Sequence, residues 1–307
     1  MGRYVIRRLL QMIPVFIGAT LLIFLMVNVM GDPVAGLCGE RACDPATAAQ
    51  LRKEFGLDKP VWQQYATYMG NLFTGDFGTA FNGQKVTELM GTAFPVTIRL
   101  TIVAIIFEII IGILFGVITG LNRGRSIDTT VLLLTLLVIS VPTFVTGLLA
   151  QLLFGVKWAV IKPAVSPEAP FNELILPGLV LASVSLAYVT RLTRTSIAEN
   201  KRADYVRTAV AKGLPKRRII VRHLLRNSLI PVVTFIGTDI GALMGGAIVT
   251  ERIFNIHGVG YQLYQGIVRQ NTQTVVGFVT ILVIVFLVAN LVVDLLYAVL
   301  DPRIRYA

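Results

Sequence analysis

The stretch Val275-Val-Gly-Phe-Val-Thr-Ile-Leu-Val-Ile-Val-Phe-Leu-Val-Ala-Asn-Leu-Val-Val-Asp-Leu-Leu-Tyr-Ala-Val299 decides the fold class, because its 25 residues carry a single charge, Asp294. At 1.5 Å per residue, a helix of that length reaches about 37 Å, enough to cross ~30 Å of bilayer hydrocarbon. Similar apolar runs lie near Leu9 to Val29, Val96 to Gly120, Thr129 to Gly155, Leu174 to Val189 and Leu229 to Thr250. The run at Leu174 is short, and the one at Thr129 contains Pro142, which predicts a kink. The rest of the 307-residue chain agrees, with 55% hydrophobic and 15% charged residues and a mean hydropathy of +0.73. An ordinary soluble domain is about 25% charged. A soluble globular enzyme is excluded, and the expected architecture is an all-α polytopic membrane protein with six transmembrane helices.

Arg3, Arg7 and Arg8 precede the first run as a basic n-region would precede a secretory signal. The run is too long for that role, and the stretch through Gly31-Asp32-Pro33 offers no Ala-x-Ala-like cleavage site, so it is read as a retained span.

Charge sorts the loops. With six spans the N-terminus, the 121–128 and 190–228 loops and the C-terminus share one side, and 18 of the 28 Lys and Arg residues fall there. Four acids on that side, Asp128, Glu199, Asp204 and Asp301, leave it at +14, while the opposite side nets zero. The positive-inside rule then places both termini in the cytoplasm. The same distribution explains the high isoelectric point by orientation and anionic lipid headgroups, so no nucleic-acid partner is expected. The expected organisation is a cytoplasmic stub and first span over 1–30, an extracytoplasmic region over 31–95, a five-span core over 96–299 and a cytoplasmic tail over 300–307.

Within the extracytoplasmic region, Trp62, Tyr65 and Tyr68 recur at i, i+3 and i+6 and predict an amphipathic helix, either covering the bundle top or docking a partner. Cys38 and Cys43 are a possible disulfide closing a short loop. No metal site is expected from two cysteines and two histidines.

The 190–228 loop is the most informative. Tyr205, Val206, Ala209 and Val210 give one helix an apolar edge, Gly213 stands where a C-cap glycine belongs, and Pro215 suits the first turn of a following basic helix. A helix-turn-helix of this kind fits a groove in another protein, or else is a solvated basic loop that sets topology.

Arg207-Thr208-Ala209-x-x-x-Gly213, followed by His223-x-x-Arg226-Asn227-x-x-x-Pro231, resembles the "EAA" loop of the permease subunits of binding-protein-dependent ABC importers, in its dipeptide and oligopeptide form. Arg207 and Thr208 replace the consensus Glu and first Ala, as in the peptide-importer branch. Tyr4-Val5-x-Arg7-Arg8-Leu9, Gly31-Asp32-Pro33-Val34, Gly75-Asp76-Phe77-Gly78, Phe94-Pro95-x-Thr97, Glu251-x-Ile253-Phe254-x-x-x-Gly258-x-Gly260 and Tyr297-x-x-Leu300-Asp301-Pro302-Arg303-Ile304-Arg305 extend the resemblance to the first permease subunit over nearly the whole chain.

The resemblance implies the type I ABC importer permease fold and half of a translocation path working by alternating access. It implies docking of the loop helix on a separate ATPase through Tyr205, Arg207, Thr208, Ala209, Lys212, Gly213, Leu214, Pro215 and Arg218. The partners it implies are a second homologous permease, two P-loop ATPase subunits and an extracytoplasmic binding protein, in the inner or plasma membrane. The chain itself has no Gly-x-x-x-x-Gly-Lys-Ser/Thr loop, so ATP and Mg are expected on the partners and no cofactor here. Nor does it carry a His-Glu-x-x-His or a Gly-x-Ser-x-Gly motif, so catalysis by the chain is not expected.

Glu108, Asp239 and Asp294 lie inside apolar spans, where an unpaired charge costs about 2.5 kcal/mol or more. Each is read either as a buried, paired group or as a residue of the translocation path. Gly112, Gly116 and Gly120 share the Glu108 face, and Gly237, Gly241 and Gly245 form a second stripe, both suited to close helix approach. A secondary carrier using Glu108 or Asp239 as an ion site is the rival reading. Nickel, haem or saccharide importers of the same family remain alternatives for the cargo.

Overall fold

In the computed structural model, residues 2–29, 34, 44–54, 56–81 and 83–300 are described; Cys38, Cys43 and the 301–307 tail lie outside them. The described residues form helices, with one isolated antiparallel bridge between Thr79 and Lys85. In chain order these are α1 (Gly2–Val29), α2 (Pro45–Glu54), α3 (Val61–Phe73), α4 (Val86–Leu121), α5 (Ser126–Ser140), α6 (Thr143–Lys157), α7 (Ile175–Asn200), α8 (Asp204–Ala211), α9 (216–228), α10 (Ile230–Ile253), α11 (Val259–Val268) and α12 (Thr272–Leu300). Five helices are long and apolar enough to cross a membrane, six if α5 and α6 form one broken span.

That break differs from the kink expected at Pro142. The axes of α5 and α6 meet at 100°. Val141 is extended (φ −94°, ψ 125°) and Pro142 caps α6. The proline ring disfavours helical geometry at the residue before it, and here, unlike at Pro95 inside α4, that residue leaves it, so the helix stops and restarts. Two other bounds move. α4 begins ten residues before the expected Val96 and carries Pro95 in its interior. α7 runs on past Val189 to Asn200, because its arginines do not interrupt a helix and one of them, Arg194, is neutralised by an ion pair.

The chain divides into two compact units, Met1–Thr97 with His257–Val288 and Ile98–Ile256 with Ala289–Ala307, the boundaries falling inside α4 and α12. In the first unit α3 lies on α1. Tyr65 and Tyr68 bracket Phe24 at ring distances of 5.5 and 6.0 Å, the Tyr65 hydroxyl meets Thr20 at 2.9 Å, and the Tyr68 hydroxyl meets Thr280 at 2.6 Å. The aromatic stripe thus serves internal packing, apart from Trp62, which is 67% exposed. Phe94 stacks on Phe278, and the Val259 N–H donates to the Thr97 hydroxyl at 2.8 Å.

In the second unit α7 is central. A Cβ on Gly112, Gly116 or Gly120 of α4 would collide with Val189, Thr193 or Ile197 of α7, so this stripe does bring two backbones together. The other stripe divides: Gly237 meets Val293, whereas nothing approaches Gly245. α6 joins α10 through Gln151, whose side-chain amide donates to the Ile253 carbonyl at 2.8 Å and to that of Pro163 at 2.7 Å.

Candidate functional site

The loop helix α8 ends in a closed cap. The Gly213 N–H donates to the Val210 carbonyl at 2.9 Å and the Leu214 N–H to that of Ala209 at 3.3 Å, with Gly213 at φ +71°, which is the Schellman arrangement. Pro215 then caps α9, its carbonyl accepting from the N–H groups of Arg218 and Ile219. Pro215 therefore stands one place before the helical position its sequence context suggests.

The apolar edge of α8 splits into two faces. Val206 and Ala209 are buried with Ile197, Ile219 and Leu224, and Leu214, Leu225, Val117 and Leu121 pack on that cluster. Val210 is 59% exposed and Tyr205 37%, beside the exposed Arg207, Thr208, Lys212, Pro215 and Arg218. One side of α8 anchors it to the ends of α4 and α7, and the other presents an apolar patch framed by cations. The Tyr205 hydroxyl donates to Asn200 Oδ1 at 2.5 Å, and Asn200 Nδ2 to the Ser196 carbonyl at 2.9 Å, which fixes the tyrosine against the end of α7.

The turn between α4 and α5, with the first residues of α5, is tied to the same end of α7. Arg194 donates through Nε and Nη2 to both oxygens of Asp128, and Asp128 Oδ2 also accepts the Gly124 N–H at 2.9 Å. The Lys201 ammonium caps the end of α4 at the Leu121 carbonyl, 2.9 Å away. Three helix ends and the α8–α9 hairpin therefore form one braced block.

Further along the bundle, Glu108 and Asp239 are brought together from α4 and α10, with Ser185 of α7 beside Asp239. Glu108 is completely buried, and it opens a π-helical turn, Glu108–Gly112, in α4. Asp294, on α12, is not among the groups acting on either carboxyl.

The family of binding-protein-dependent transport system inner membrane components matches residues 112–306, and the N-terminal region of such membrane components matches residues 1–101. The chain belongs to that family. It is a multi-pass inner membrane permease subunit. The dipeptide transport system permease protein DppB of Escherichia coli (strain K12) is 38% identical over all of this chain and 99% of its own length. The di/tripeptide transport system permease protein DppB of Pseudomonas aeruginosa (strain UCBPP-PA14) is 37% identical, over 99% of this chain and 98% of its own. The glutathione transport system permease protein GsiC of Salmonella typhi is 35% identical over both full lengths.

In this permease, sequence reasoning missed the Asp128–Arg194 pair and the role of Ser185. Asp128 entered only as one charge of a loop, although an acid in a first helical turn was a signal that a local anchor was present. Ser185 carried no signal, since nothing in its surroundings along the chain points across to α10.

Proposed function

We propose that this permease is one transmembrane half of an ATP-driven importer of dipeptides and oligopeptides, paired with a second homologous permease, two P-loop ATPase subunits and an extracytoplasmic binding protein. The relatives named above, all peptide or glutathione permeases matched end to end, support the cargo class. Both termini and α8 lie on the cytoplasmic side, where the excess of Lys and Arg is found. ATP and Mg bind on the partners.

The observation that carries the coupling mechanism is the two-faced α8. Its Val206–Ala209 face is locked to α4 and α7. The outward Tyr205, Val210, Arg207 and Lys212 fit a cleft in an ATPase by helix-in-groove recognition. Closure of the ATPases on ATP pushes this rigid end, and the spans turn outward; hydrolysis and product release turn them back.

The test is peptide uptake by the reconstituted complex with ATP inside the vesicles and binding protein outside, compared with Val210→Glu. That substitution touches only the exposed face. Loss of ATPase association with the permease still folded agrees with the proposal; undiminished ATP-driven uptake refutes it.

A further inference from the structure

Among the described residues, neither carboxylate oxygen of Glu108 has a hydrogen-bond donor within bonding geometry, and Oδ2 of Asp239 is orphaned in the same way. Glu108 has no exposed surface and Asp239 is partly buried, α4 and α10 both packing on α7. The groups acting on the two carboxyls are each other and Ser185; no Lys, Arg or His is among them. Of the α7 cations, Arg191 is exposed and Arg194 is committed to Asp128, and α12 contributes Asp294, next to the Val293 that packs on Gly237. No cluster of three metal-ligating side chains occurs among the described residues.

Two ionised carboxylates facing each other would repel strongly in such a site, and burying a lone charge adds several kcal/mol. A proton between the two carboxyls removes that repulsion with no cavity and no further ligand. Shared between two carboxyl oxygens it converts repulsion into a short O–H···O⁻ hydrogen bond. The backbone changes in the same place, since the π-helical turn of α4 starts at Glu108, and such turns are frequent at functional sites.

We infer that Glu108 and Asp239 form a proton-binding site, holding at least one proton between them and thereby fastening α4 to α10 beside α7. This rests on the permease reading for its purpose: a path that opens between these helices exposes the pair to water and discharges it. Alkaline pH then loosens α4 from α10.

Infrared difference spectra of the complete wild-type complex in nanodiscs, titrated from pH 5 to 9, test this directly. The expected result is a protonated-carboxyl C=O band persisting at pH 7, shifted by Ser185→Ala and abolished by the double substitution Glu108→Gln/Asp239→Asn. Hydrogen exchange around 104–116 should rise with pH in the wild type more steeply than exchange alone dictates, and should lose that excess in Glu108→Gln. Absence of the band at pH 7, or its survival in the double variant, overturns the proposal. Peptide uptake on the same preparation separates the two readings: a missing band with uptake intact removes the proton site alone, and a band without uptake removes the peptide-importer reading alone.

Discussion

Arg194 of α7 clasps Asp128 in the first turn of α5 with two parallel hydrogen bonds, Nε to Oδ1 at 2.6 Å and Nη2 to Oδ2 at 2.7 Å. The side chains are 18% and 3% exposed. Losing one partner of a fully buried pair costs about 3–5 kcal/mol, and the partial exposure of Arg194 lowers the expected loss for Asp128→Ala to about 2–3 kcal/mol. Replacing both, as Asp128→Leu/Arg194→Met, should recover much of it. Thermal unfolding of the purified permease measures both, and a double variant as unstable as the single one would show that the pair is not what holds these helices.

Gly213 tests whether α8 must be rigid to pass on the push of the ATPases. No atom lies within 4 Å of where its Cβ would sit, so a substitution is penalised by the backbone alone. A non-glycine residue at φ +71° costs about 1–2 kcal/mol, less for Asn, which tolerates the left-handed region. Gly213→Val is expected to uncouple ATP hydrolysis from uptake, and Gly213→Asn to retain most coupling. The ratio of peptide imported to ATP hydrolysed is the readout, and equal ratios in the two variants would contradict the role of the cap.

The α4–α7 seam predicts a graded response at glycines. At Gly116 an added Cβ lands 2.8 Å from the Thr190 carbonyl oxygen, backbone that cannot swing aside, whereas at Gly245 it meets nothing. Gly116→Ala should therefore lower stability by about 1–3 kcal/mol, the usual range for overpacking, whereas Gly245→Ala should leave the thermal midpoint of the isolated permease no lower, raising stability by up to about 1 kcal/mol through the lost backbone freedom of the unfolded chain.

Much of this architecture was legible because hydropathy and helix capping are local. The spans follow from apolar run length, and the α8 cap follows from Gly213 and Pro215. What the sequence hid is non-local. Asp128 and Arg194 are 66 residues apart, and Glu108 and Asp239 meet only because α4 and α10 share α7 as a neighbour. Periodicity gave α8 an apolar edge but not which half of it, Val206–Ala209 or Tyr205–Val210, turns inward. At Pro142 the residue was legible and the angle was not, since a proline permits a kink or a full break depending on what packs around it.

Glu173 supplies a pH prediction outside the spans. The Lys162 ammonium at 2.7 Å, then the N–H and hydroxyl of Ser166 at 2.8 and 2.7 Å, hold its carboxyl down to about 2. Because the folded value is depressed below the ordinary ~4.3, the stabilisation is present above that value and is lost as pH falls through about 2. The wild type should unfold at a higher temperature than Glu173→Gln at neutral pH, and the two midpoints should converge near pH 2. A constant difference across that window would show that the carboxylate charge is not the source.

Whether this permease moves its cargo only as part of an ATP-driven assembly is decided by tagging it, purifying it gently from its own membranes and identifying stoichiometric companions by mass spectrometry, with ATPase activity measured on the same material. The expected companions are a second permease of the same family and P-loop ATPases, with measurable hydrolysis. Recovery of the chain alone, intact and active in uptake driven by an ion gradient, would contradict it.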